Sequence, residues 1–243
     1  MAARGTITLC LILGLLAAAN AVPFDFFYLV LKWPGSSCTV SDGKCCVPKD
    51  GGYPAEDFLV ESFQPFDVSI NKPLVSCRNS EPFDIDKLDP IENSINNYWS
   101  NIACPPSSTV STLKSAWKSY GVCSRLEQLD YFKAALELRT QADVLGALTD
   151  QGIMPVLDMY SLDKIKWAVK QKLGVTPGVL CNDGPFAKQH LDKVYICVDT
   201  DAKTFIECPK LPATTCTESI IFHPFYTWML NGTFAYDSKI MLN

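Results

Sequence analysis

Cysteine placement constrains this chain more than any other feature. Of eleven cysteines in 243 residues, Cys10 lies in an apolar run, Ile7 to Ala19, that follows Arg4 and ends at the small-x-small site Ala19-Asn20-Ala21. That is the layout of a secretory leader, residues 1–21, cleaved before Val22 and too short to read as a membrane span. Ten cysteines remain, and an even number in an exported chain implies disulfides. The adjacent Cys45 and Cys46 should bond in different directions, because a bridge needs Cα atoms about 4.4 to 6.8 Å apart with suitably aimed side chains. One pairing is supported locally. Val194–Val198 and Phe205–Cys208 flank the polar turn Thr200–Lys203, which sets Cys197 and Cys208 across a hairpin from each other.

With 48% hydrophobic residues the chain can bury one substantial core, and one large domain is expected. Loss of Arg4 with the leader takes the formal charge from −5 to about −6. A net acidic chain repels a polyanion on average, which argues against non-specific nucleic-acid binding while leaving room for a local basic groove. No CxxC pair and no Cys/His cluster at zinc spacing occurs, so no metal site and no cofactor is expected.

Phe24 to Trp33, aromatic and β-branched up to Pro34-Gly35, reads as a strand buried on both faces at the centre of a sheet. Phe58 to Pro65 reads as a second strand, with Glu61 inside an otherwise apolar run. Asp89-Pro90 suits a helix N-cap and first turn, followed by Ile91, Ile95 and Tyr98 and an end near Trp99. Leu113, Trp117 and Tyr120 share a helix face, and Gly121 can take the left-handed conformation that stops it. Leu126 to Leu148 reads as one long amphipathic segment whose charges form a solvated face. Ser161 should cap a helix that Gly174 ends.

These blocks resemble the ribonuclease T2 family, and within it the plant S-like ribonucleases. The resemblance is carried by Phe24-Asp25-Phe26-Phe27-Tyr28, by Trp33-Pro34-Gly35-Ser36 with Cys38, and by Cys45-Cys46. Glu81-Pro82-Phe83-Asp84, Ala103-Cys104-Pro105, Tyr131 to Leu136, Val194 to Asp199 and Ile206 to Pro209 extend it. It implies an α+β fold, a central antiparallel sheet with flanking helices, over residues 22–224, with 225–243 as a C-terminal extension. It also implies the bridges Cys38 to Cys45, Cys46 to Cys104, Cys77 to Cys123, Cys181 to Cys216 and Cys197 to Cys208, one choice among roughly 900 pairings.

The same resemblance exposes a departure. The family motif Phe-x-Ile-His-Gly-Leu-Trp-Pro falls on Phe58 to Pro65, with Glu61 in place of the catalytic His. The motif His-Glu-Trp-x-Lys-His-Gly-x-Cys falls on Ser115 to Cys123. There Ser115 replaces the phosphate-binding His, Ala116 and Ser119 the charge-stabilising Glu and Lys, and Tyr120 the second catalytic His. Trp117, Gly121 and Cys123 are kept. RNA cleavage by its own 2′-hydroxyl needs one group to take that proton and another to protonate the leaving oxygen, both with pKa values near working pH. Tyr120, ordinarily near 10, is a poor partner for that work. Glu61 reads as a polar filler or a partner of Lys118. The histidines left after the leader, His190 and His223, lie far from both motifs in sequence. Lys32, where the family has a Gln, and Phe83, an aromatic able to stack on a base, are weak signs of residual nucleotide binding.

The expectation is a secreted pseudoenzyme of this fold, extracellular or vacuolar, with a storage or stress-associated role. The alternatives are a module that holds RNA or nucleotides weakly without cutting them, and a weak T2-type endoribonuclease using Glu61. Phe225 to Ser238 should form an added hairpin turning at Asn231-Gly232, and Asn231 heads the one glycosylation sequon.

Overall fold

Among the described residues, eight short strands and six α-helices follow a path that returns repeatedly to one sheet. The computed structural model describes residues 23–40, 45–50, 52–78 and 81–230. The leader and Asn231 lie outside them. In chain order come β1 (Phe26–Lys32), α1 (Pro34–Ser37), β2 (Leu59–Asp67), β3 (Lys72–Pro73), α2 (Glu92–Tyr98), α3 (Thr109–Ser119), α4 (Gln128–Ala142) and α5 (Val144–Thr149). Then follow β4 (Met159–Ser161), α6 (Leu162–Leu173), β5 (Gly178–Asp183), β6 (Gln189–Val198), β7 (Phe205–Ile206) and β8 (Ser219–Ile221).

The sheet runs β3-β2-β1-β6-β8-β4, with β5 and β7 also on β6. Every pairing is antiparallel except β6 with β8, a single parallel bridge between His190 and Ile221. β1 sits in the middle, as its run of apolar residues predicts. Phe27, Leu29 and Leu31 point into the main core beneath the helices. Phe26, Tyr28 and Val30 face the other way into a smaller cluster with Phe66 and Cys197. Alternation on a strand puts neighbours on opposite faces, so a continuous apolar run requires both faces to be covered.

Five disulfides close this frame: Cys38–Cys45, Cys46–Cys104, Cys77–Cys123, Cys181–Cys216 and Cys197–Cys208. They are the pairs that the resemblance implies, and the vicinal cysteines do diverge.

Several local expectations need correction. Asp89-Pro90 does not cap α2; both residues lie inside a 3-10 turn, Asp86–Ile91, that leads into it. The single helix expected over 126–148 is two, because Asp143 adopts φ 39° and turns the chain between α4 and α5. Nor is its charged face all solvated. Arg139 is buried, pairs with Asp57, donates to the Phe58 carbonyl at 3.0 Å and lies 4.0 Å over the Tyr98 ring. Ser161 and Gly174 bound α6 as expected, Ser161 accepting from the Lys164 amide at 3.2 Å and Gly174 taking φ 74°. Thr227–Leu230 forms a 3-10 turn where the first arm of a hairpin was expected, with Phe225, Met229 and Leu230 buried in the main core. The rest of that hairpin lies outside the described residues.

Candidate functional site

One cleft of about 490 Å³ opens between α3, the Asn101–Ala103 loop and the ends of β1 and β2. Its size is that of a small-molecule site. Glu61, Ser115, Ala116, Ser119 and Tyr120 all line it, and so does Lys32. Two segments far apart in sequence thus deliver to one cleft every position where the resemblance puts the family's catalytic groups.

The helix face comes from α3. Ser108 caps it by accepting from the Ser111 amide at 3.1 Å, while Leu113 and Trp117 are buried on the side away from the cleft. Ser115 and Ser119, four residues apart, therefore share the open side. The helix end is fixed by the Cys77–Cys123 bridge and by the Ser76 amide, which donates to the Ser119 carbonyl at 2.8 Å. Gly121 does not take a positive φ, contrary to expectation. It is needed because a Cβ there would stand 2.1 Å from the Trp117 ring. Opposite, Cys45 bridges to Ala103 as an isolated β-pair, and the Cys46 amide donates to the Ile102 carbonyl at 2.8 Å, which seats the 101–103 loop as a wall.

The sheet side rests on two irregularities. Val30 is opposite Ser62 and Leu31 opposite Val60, so Glu61 is the extra residue of a bulge in β2. Leu180 is opposite Lys193 and Cys181 opposite Leu191, which makes Asp192 the extra residue in β6. A bulge re-aims the side chain it inserts. Glu61 then meets Lys193, Nζ to Oε1 2.7 Å, rather than Lys118, which is exposed. Asp192 accepts from Ser37 Oγ at 3.2 Å and Ser36 Oγ at 3.4 Å.

Burial works to lower the Lys193 ammonium, but the bond and charge of Glu61, with Asp192 and Tyr195, hold it above the usual lysine range. Burial raises the Asp192 carboxyl, with the nearby Lys32 and Lys193 charges acting against it. Tyr120 is raised by burial and then by the Glu61 charge, so its hydroxyl stays protonated well past neutrality. The cleft thus holds a protonated phenol whose hydroxyl is free to donate or accept, an ion-paired carboxylate, and no imidazole.

Phe83 is not at the cleft. It is half-buried against Phe132, ring centroids 6.5 Å apart, and its neighbour Asp84 is pinned by Gln128. The two histidines pack together elsewhere, ring centroids 5.6 Å apart, both buried, where Trp33 Nε1 donates to the His223 carbonyl at 2.6 Å. Lys193 and Asp192 were missed by sequence reasoning. Lys193 was legible only through register, since β6 sets it opposite Lys32. Among the described residues no cluster of three metal-ligating side chains occurs, and no helix is long and apolar enough to cross a membrane.

A disulfide-framed α+β domain whose cleft lies where a β-strand bulge meets a disulfide-anchored helix is the class that fold and site define. The chain belongs to the ribonuclease T2 family, whose model matches residues 24–208. It is 37% identical to Ribonuclease 1 of Arabidopsis thaliana over 211 residues, 86% of this chain and 90% of that one. It is 28% identical to a ribonuclease-like storage protein of Panax ginseng, covering 81% of this chain and 80% of that one. Among solved structures, RNase NT in complex with 5′-AMP superposes with a TM-score of 0.79 at 33% identity, over 84% of this chain and 100% of that one.

Proposed function

We propose that this protein is a pseudoenzyme of the ribonuclease T2 fold, routed through the secretory pathway to the cell exterior or the vacuole and serving in storage or stress. The observation that carries the reading is chemical. At the five cleft positions stand Glu61, Ser115, Ala116, Ser119 and Tyr120, and neither His190 nor His223 lines the cleft. Each acid or base group contributes about 10² to 10⁴ in rate, so absence of both catalytic imidazoles costs about 10⁴ to 10⁸. Glu61 as a lone base would act while bonded to Lys193, and the Lys193 ammonium and Tyr120 hydroxyl beside it are both held above their usual ranges, so neither is a proton donor matched to working pH. Similarity to a protein named for storage supports the physiological half of the reading.

An RNA-containing activity gel from pH 4 to 8 tests it. The wild type should leave the gel unmarked. The variant carrying Glu61→His, Ser115→His, Ala116→Glu, Ser119→Lys and Tyr120→His together should recover partial cleavage, because such groups act as a unit. Clearing by the wild type refutes the proposal and favours an endoribonuclease built on Glu61. A second reading, weak binding of RNA or nucleotides without cleavage, is favoured by the likeness to a structure that holds 5′-AMP and by Lys32 in the cleft lining.

A further inference from the structure

The charges at the sheet end of the cleft decide what it can accept. Lys32 on β1 and Lys193 on β6 are register partners, so two lysines stand side by side. Lys193 is already matched, because Glu61 holds it at 2.7 Å. Lys32 forms no ion pair among the described residues, and Asp192, next to Lys193 in β6 and fixed by Ser36 and Ser37, is the second anion at this end. Two ammonium groups and two carboxylates bring this end to zero net charge, and the lysine that Glu61 holds is not free for a phosphate. What the cleft does leave open is neutral. Among the described residues the Ser115, Ser119 and Tyr120 hydroxyls hold no hydrogen bond within the protein, and all three line the cleft. A hydroxyl both donates and accepts, and a carboxylate accepts several bonds, so this lining matches a ligand rich in hydroxyls.

We propose that Glu61 is a built-in counter-anion: it fills the place a phosphate would take beside Lys193, so that the cleft accepts an uncharged, hydroxyl-rich small molecule in preference to its phosphate ester. The proposal rests on reading the cleft as non-cleaving and specifies what occupies it. The geometry makes Glu61 the decisive group, because it is the inserted residue of a bulge whose two flanking residues keep regular pairing with β1. A phosphate entering beside it meets a like charge before it can reach the lysine, whereas a hydroxyl meets an acceptor.

Calorimetry at low ionic strength and pH 7 with adenosine and 5′-AMP, which differ only in the phosphate, tests this. The wild type should bind adenosine tighter than 5′-AMP by about tenfold or more. Glu61→Gln, of the same shape, should reverse the order, and its gain in 5′-AMP affinity should shrink with added salt. Adding Lys193→Gln to it should abolish the gain, a coupling that a purely structural effect of either change would not produce. A wild type that binds 5′-AMP as tightly as adenosine, or binds neither, overturns the proposal; so does a Glu61→Gln variant that keeps the wild-type order. Failure here appears as a binding preference and failure of the pseudoenzyme reading as a cleared gel, so the two are distinguishable.

Discussion

Single residues in this protein are held by close contact more than by local conformational preference. Gly121 was expected for its freedom to turn left-handed; it is required because the Trp117 ring occupies the space of a side chain. Trp117 is 1% exposed and packs edge-on to Tyr131, ring centroids 5.8 Å apart, so it has little room to yield. Gly121→Ala should therefore destabilise by about 1 to 3 kcal/mol, the cost of overpacking a filled core. A lower urea midpoint with an unchanged slope is the expected result, and an unchanged midpoint would show that the ring can move. Glu61 carries the same lesson. Its apolar neighbours marked it as unusual, but its partner is set by a bulge that no residue type announces.

Elements are fixed to one another by covalent links of very different reach. Cys46–Cys104 joins residues 58 apart and ties the cleft wall to the loop after α1, whereas Cys197–Cys208 spans 11 and closes a hairpin that β6 and β7 already pair. On chain entropy the first should contribute about 4 kcal/mol and the second about 3 kcal/mol. Replacing each pair by alanines should lower the urea midpoint more for Cys46–Cys104. That variant should also lose any ligand binding at the cleft, because the 101–103 wall is seated through the same residues. An equal loss from both double variants would show that strain or residual structure outweighs loop length.

The whole molecule should respond to acid through its histidines. Burial lowers the His190 imidazole, with the Pro185 carbonyl bond acting against that and His223 adding to it. Burial lowers His223 too, against its bond to the Pro224 carbonyl at 2.7 Å. Below the unfolded value near 6.5 the unfolded chain binds protons that the folded one refuses. Stability from these groups is thus complete above that pH and is lost as pH falls through the folded values. The urea midpoint should drop between pH 7.5 and 5. A His190→Asn variant, whatever its stability at pH 7.5, should drop less, and an identical fall would assign the effect to carboxylates instead.

Read residue by residue, the sequence carried the frame of this protein. A short aromatic and β-branched run stopped by Pro34-Gly35 reads as a strand covered on both faces, and β1 is central. Ser161 and Gly174 bound α6 because capping and left-handed turning are properties of those residues and their neighbours. The two motif segments, Phe58 to Pro65 and Ser115 to Cys123, are legible along the chain, and their five marked positions line one cleft. Tertiary structure decided what those positions touch. The break at Asp143, the burial of Arg139 against Asp57 and the partner of Glu61 depend on groups brought in from other elements. So do the placement of Phe83 outside the cleft and the stacking of the two histidines. Periodicity and turn chemistry act over a few residues and can be read along the chain. A bulge, a register and an ion pair between strands 132 residues apart exist only once the sheet has closed.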